Sequence, residues 1–178
     1  MLRLRPYKPC DAKNIVSWLN DETTFNLWGG LRFGQFPLSE DTINDKYFLH
    51  NGDCVESDNF YPMTAFDESG AVGHFILRYI NGDNKILRLG WVIVDNNKRG
   101  LRYGQKMLKL ALNYAFNILK ADTVTIGVFE NNTAAYKCYE SVGFQKSTIL
   151  EDSYENINGQ DFKIVELEIS KESFDGAC

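Results

Sequence analysis

The stretch NNTAAYKCYESVGF, from Asn131 to Phe144, decides how the rest of the chain is read. It comes after the apolar run Thr123-Val124-Thr125-Ile126-Gly127-Val128-Phe129. A short apolar run bounded by polar residues reads as a buried strand, and the residues after Phe129 read as a turn and a short helix. In that helix Ala135, Cys138, Tyr139 and Val142 recur at i, i+3, i+4 and i+7 and so share one face. Asn132 stands where an N-cap belongs, and Gly143-Phe144 where a helix stops. Tyr139 therefore has two readings. It is core with a wet hydroxyl, the ordinary fate of a tyrosine on an apolar face, or it handles a proton. Tyr136 falls off that face, and Cys138 reads as packing, with no histidine near it in sequence.

Working outward, a long helix precedes the strand, with Met107, Leu108, Ala111, Leu112, Ala115, Ile118 and Leu119 at helical spacing. Before the helix comes the basic loop Arg99-Gly100-Leu101-Arg102-Tyr103-Gly104, and before the loop an apolar strand end, Trp91-Val92-Ile93-Val94. A strand that opens through such a loop onto a helix N-terminus offers backbone N–H groups and the positive end of a helix dipole to an anion. The loop is neither a Walker A sequence nor G-x-G-x-x-G. Taken alone, it is equally well a solvated basic turn. Strand–helix–strand is a crossover, so the strands ending near Val94 and Phe129 are expected as parallel neighbours.

The remaining segments complete one α/β domain over residues 1–178 with a mixed, mostly antiparallel sheet flanked by helices. Leu2 to Tyr7 alternates as a half-buried strand, and Asp11 starts a helix with Ile15, Trp18 and Leu19 on its apolar face. Glu22 to Asp58 has poor periodicity and holds Trp28, Phe33 and Phe36, with a helix expected from Ser39. Phe60–Phe66, Ala71–Ile80 and Lys85–Val94 read as an antiparallel meander. Its last turn is Asn81-Gly82-Asp83-Asn84. Two tail strands are expected at about Lys146–Asp152 and Phe162–Ile169, joined by Asn156-Ile157-Asn158-Gly159.

Composition narrows the function. The 178 residues carry a net charge of −5, which argues against nucleic acid as partner and is compatible with a cationic substrate. Cys10, Cys54, Cys138 and Cys178 lack C-x-x-C spacing, and with two histidines no metal site assembles. Reduced thiols, no membrane-spanning run and no signal-peptide stretch together lead us to expect a cytoplasmic protein without a membrane partner.

With both stretches in hand, the chain resembles the GNAT superfamily of acetyl-CoA-dependent N-acetyltransferases. Their phosphate loop reads Q/R-x-x-G-x-G/A, here Arg99 to Gly104, and their later signature N-x-x-A-x-x-x-Y-x-x-x-G-F, here Asn132, Ala135, Tyr139, Gly143 and Phe144. One helix and one strand separate the two, as in the family, and Arg5-Pro6, Asp11-Ala12 and Trp18-Leu19 extend the match to the start. Within the superfamily the chain is most similar to the branch of ribosomal-protein alanine acetyltransferases. The resemblance implies a GNAT fold with a splayed central strand pair near Val92 and Val128. It implies backbone N–H groups of Arg99, Gly100, Leu101, Arg102, Tyr103 and Gly104 around the pyrophosphate of acetyl-CoA. Val92, Ile93 and Val94 would lie along the pantetheine arm, with the Val92 N–H polarising the thioester carbonyl. Asn132 would bond the arm, and Tyr139 would protonate the departing thiolate or donate a hydrogen bond to it. The partner is then a small-molecule or peptide amine, and a homodimer is compatible with it.

Two positions depart from the family. Arg102 replaces the first loop glycine, so its side chain points away or reaches a phosphate itself. Arg88 occupies the position at which some members place a glutamate base. His74 is the first alternative base, with Glu130 and Asp152 behind it, and ordered water is another. These departures keep a second class open, a CoA-binding sensor that has lost turnover, with a phosphate-loop hydrolase a distant third. The acceptor itself is left as a protein N-terminus, a polyamine, an amino acid or an aminoglycoside.

Overall fold

The computed structural model describes residues 1–80 and 82–176; Asn81 of the expected hairpin turn and the thiol Cys178 lie outside them. Eight strands form one mixed sheet: β1 (Arg3–Pro6), β2 (Tyr61–Asp67), β3 (Gly70–Ile80), β4 (Asp83–Val94), β5 (Thr123–Phe129), β6 (Gln145–Lys146), β7 (Ser153–Ile157) and β8 (Gln160–Ser170). The order is β1-β2-β3-β4-β5-β8-β6, with β7 also on β8. The apolar-ended strand expected to be central, β4, is so placed. β4 and β5 are parallel, with Ile86–Leu89 against Thr123–Ile126, as a crossover requires. Pairs β1–β2, β2–β3, β5–β8, β6–β8 and β7–β8 are antiparallel.

The helices are α1 (Ala12–Trp18), α2 (Glu22–Trp28), α3 (Glu40–Phe48), α4 (Tyr103–Asn113), α5 (Thr133–Glu140) and α6 (Lys171–Asp175). Ser39 caps α3 by accepting from the Thr42 N–H at 3.1 Å, as its position suggests. α2 was not expected. Its N-cap Asp21 accepts from the Thr24 N–H, and the left-handed Gly29 ends it after two turns. So short a helix shows only Phe25 and Trp28 on its buried side, too little for periodicity to find.

The chain divides into two compact units, one of Met1–Arg78 with Trp91–Met107, the other of Tyr79–Gly90 with the chain from Leu108 onward. The first is built on aromatic and aliphatic side chains of α1, α2 and α3 packed with Ile76 and Ile93. At its β1 edge Asp11 is buried but satisfied. It accepts from Arg5 at 2.6 and 2.8 Å, from the Lys8 N–H at 2.9 Å and from Thr64 Oγ1 at 2.8 Å. The second unit is built on Leu87, Leu89, Val124, Ile126, Leu167 and Phe116, all but fully buried.

The first tail strand differs from expectation. Strand structure covers only Gln145–Lys146 and resumes at Ser153. Ser147 Oγ accepts from the N–H groups of Ile149 and Leu150, and Ser147 and Thr148 both donate to Glu168. Local side-chain bonds of this kind draw the backbone away from the ladder. The β7–β8 turn falls at Asn158 and Gly159, both left-handed, as the Asn-Gly pair demands.

Candidate active site

In the first unit, β4 is interrupted by a backbone turn. Trp91 has φ +46°, a left-handed conformation that breaks strand alternation immediately before Val92. A non-glycine residue there costs about 1–2 kcal/mol. Packing of its half-buried indole offsets the cost. The ring lies 4.7 Å from Phe33, 6.2 Å from Phe60 and nearly parallel to Tyr47 at 5.8 Å. Beyond the turn Ile93 points into the core, while Val92 and Val94 are half-buried.

The loop after β4 is set by two more left-handed residues, Gly100 at φ +75° and Arg102 at φ +63°. Asp95 first caps a short helical turn at Asn96–Lys98, accepting from the Asn97 N–H at 2.9 Å. The Arg102 carbonyl then accepts from the Lys106 N–H at 3.1 Å, which starts α4. The first N–H groups of a helix have no partner within it, so this end offers donors to an anion. The Arg102 side chain is exposed, with no ion pair or hydrogen bond among the described residues. Tyr103 turns its hydroxyl to Asp67 Oδ2 at 2.7 Å, so any direct contact it makes with a cofactor falls to its backbone.

In the second unit, α5 presents Asn132 and Tyr139. Asn132 is the N-cap, its Oδ1 accepting from the Ala135 N–H at 3.3 Å, and its NH2 has no partner among the described residues. The helix ends at left-handed Gly143, where the Phe144 N–H returns to the Tyr139 carbonyl. Tyr139 is buried, with its ring 6.1 Å from Phe144. Burial raises its phenol above the ordinary tyrosine pKa, with the nearby Cys138 adding to the shift. Its hydroxyl has no hydrogen-bond partner among the described residues.

The base candidates stand in different surroundings. His74 is 1% exposed in the first unit, its Nε2 2.7 Å from the Tyr47 hydroxyl. Burial pushes its imidazole down to about 3, so it is neutral and a weak base. In the second unit Asp152 is held by Lys146 and, at 3.2 Å, by Lys163. Chiefly the Lys146 hydrogen bond brings its pKa to about 2. Glu130 lies 3.8 Å from Lys163. Arg88 forms a two-pronged pair with buried Glu166 at 2.5 and 3.0 Å, passing over Gly127, where a Cβ would stand 2.4 Å from the guanidinium.

Sequence reasoning did not mark Trp91 as the turn before Val92, nor Tyr47 as the partner of His74. Nothing local signals a left-handed tryptophan. The replaced glycine at Arg102 was such a signal, since the position takes a conformation glycine adopts without cost.

Comparison with known proteins identifies the family and the fold. Residues 1–145 match the family model of the acetyltransferase (GNAT) domain. A spermine/spermidine N(1)-acetyltransferase of Bacillus subtilis (strain 168) is 27% identical over 121 residues, 65% of this chain and 76% of the relative. Among solved structures, the spermidine N-acetyltransferase from Vibrio cholerae in complex with CoA and spermine superposes with a TM-score of 0.78. It covers 97% of each chain at 22% identity.

Proposed function

The chain belongs to the GNAT acetyltransferase family and is an acetyl-CoA-dependent N-acetyltransferase, and we propose that its acceptor is a small cationic amine of the polyamine class. One observation carries this. Residues 22–58 hold seven carboxylates and two cations, a net charge of −5 equal to that of the whole chain. The other 17 Lys and Arg balance the other 17 Asp and Glu. All seven carboxylates are exposed. One of them, Asp53, is paired with Lys46 at 2.9 Å. A segment so charged attracts a polycation and gains less from a peptide with one amino group. The polyamine enzymes among the relatives support the same acceptor. The resemblance in sequence to the branch of ribosomal-protein alanine acetyltransferases would favour a protein N-terminus, the second reading, but the Bacillus subtilis and Vibrio cholerae relatives are polyamine enzymes and not members of that branch.

In this proposal one catalytic domain spans the chain and the transfer is direct. A neutral amine nitrogen attacks the thioester carbon, the C–N bond forms and the C–S bond breaks. The Val92 N–H, aimed by the turn at Trp91, holds the oxyanion. The N–H groups of Arg99 to Gly104 hold the pyrophosphate, Ile93 and Val94 lie along the pantetheine arm, and the free NH2 of Asn132 bonds it. Tyr139 meets the departing sulfur. A thiol has a reference pKa of about 8.5, below that of a buried phenol. Tyr139 therefore donates a hydrogen bond to the thiolate and keeps its proton, and water protonates the sulfur. The amine's proton leaves to water, since His74 is buried and too weak a base to take it.

The test is CoA thiol release from acetyl-CoA with spermidine, spermine, an amino acid, an aminoglycoside and an alanine-starting peptide. The highest kcat/KM is expected for a polyamine. Preference for the peptide would favour the second reading. Tight acetyl-CoA binding with no thiol released for any amine would make the protein a sensor.

A further inference from the structure

The loop from Arg99 to Gly104 is tied to the β2–β3 turn by the Tyr103 side chain. Tyr103 donates to Asp67 Oδ2 at 2.7 Å. Asp67 is itself fixed by its turn, its Oδ1 accepting from the Ser69 N–H at 2.8 Å and from the Ser69 hydroxyl at 2.6 Å. The anchor therefore reaches from a rigid turn to the residue directly after left-handed Arg102. The same ring gathers two cations. Lys98 Nζ lies 5.4 Å and Lys106 Nζ 5.5 Å from its centroid, one contributed from before the loop and one from the first turns of α4. Among the described residues neither lysine is within ion-pair distance of a carboxylate, although Lys98 is near enough to Asp67 to help hold its carboxyl below the usual range.

We infer that Tyr103 is a positioning residue for cofactor binding. Its hydroxyl holds the loop's left-handed turn in the shape that presents its N–H groups, and its ring holds the Lys98 and Lys106 ammonium groups ready for a phosphate of CoA. This rests on the phosphate-binding role proposed for the loop. Acetyl-CoA carries two sources of that chemistry, the pyrophosphate and the 3′-phosphate. An ammonium held against a ring face loses part of its rotamer freedom before the anion arrives, so binding costs less. The effect belongs to cofactor binding and leaves the acetyl-transfer step alone, so it appears in KM and not in kcat.

The experiment combines calorimetry, steady-state kinetics and amide NMR on the full chain. Tyr103→Phe keeps the ring and removes the bond to Asp67. It is expected to raise the acetyl-CoA Kd and KM roughly five- to tenfold with kcat within about twofold. Asp67→Asn should give the same rise, and the double variant no further one. Lys98→Met and Lys106→Met should each weaken binding about three- to tenfold. With 3′-dephospho-acetyl-CoA that loss disappears if the lysines serve the 3′-phosphate and persists if they serve the pyrophosphate; both outcomes support the inference. Amide shifts at Gly100 to Gly104 on acetyl-CoA titration report the loop separately. Shifted amides with wild-type affinity in the Tyr103 and lysine variants would overturn the inference and leave the loop's role standing. Unshifted loop amides would overturn both.

Discussion

Tyr139 and His74 show how much a residue's chemistry depends on what surrounds it. Both are buried, but one has a hydroxyl without a partner among the described residues and the other has its ring nitrogen engaged by Tyr47. Tyr139→Phe removes one donor from the sulfur and should lower kcat roughly ten- to hundredfold with acetyl-CoA affinity unchanged; normal turnover would remove Tyr139 from the mechanism. His74 gives a pH signature instead. Its folded pKa of about 3 lies below an unfolded value near 6.5. Between those values the unfolded state binds the extra proton, so stability is full above about pH 6.5 and falls as pH drops toward 3. Denaturant midpoints measured across that range should show the fall, and His74→Gln should flatten it. Of these features, the N-cap Asn132 and the burial of Tyr139 were legible in the sequence, because capping and helical periodicity are local rules. The state of His74 was not, because it depends on burial, and the rings packed against it include Tyr47, 27 residues away.

At the scale of elements, the loop before α4 carries a cost. Arg102 holds φ +63° where the family has glycine. A left-handed L-residue costs about 1–2 kcal/mol, and glycine gives back about 0.5–1 of that through unfolded-chain entropy. Arg102→Gly should therefore stabilise the protein by roughly 0.5–1 kcal/mol in urea unfolding. If the guanidinium also meets a phosphate, the same variant binds acetyl-CoA more weakly, so stability and affinity move in opposite directions. The ties among β4, β5 and β8 include the Arg88–Glu166 pair across Gly127. Removing one partner of a buried pair costs about 3 kcal/mol, while replacing both with apolar residues recovers much of it. Glu166→Gln should lower stability by that order and Arg88→Met/Glu166→Leu should restore most; an unaffected Glu166→Gln would show the pair to be idle. The β4–helix–β5 crossover was readable because two apolar runs and one amphipathic helix leave few topologies. The irregular run after Lys146 was not, since hydroxyl-to-carboxylate bonds to Glu168 from Ser147 and Thr148 replace ladder pairing and leave no periodic trace.

Over the whole molecule, the sequence divides its chemistry unevenly. Residues 22–58 carry net charge equal to that of the entire chain, and the stretch from Lys98 to Lys106 carries Lys98, Arg99, Arg102 and Lys106. Opposite charges at the two places match the opposite ligands proposed for them, a polycation and a polyphosphate. Among the described residues no helix is long and apolar enough to cross a membrane. Fold and cofactor were legible from two ordered motifs. The acceptor was not, because charge along 37 residues of poor periodicity has no motif, only a balance. Direct transfer to a polyamine is tested by a single turnover with acetyl-labelled acetyl-CoA and spermidine, quenched and resolved into protein and small molecules. Label is expected to pass from CoA to spermidine with none on the protein at any time. Label on the protein, or label remaining on CoA in a bound complex, would contradict direct transfer.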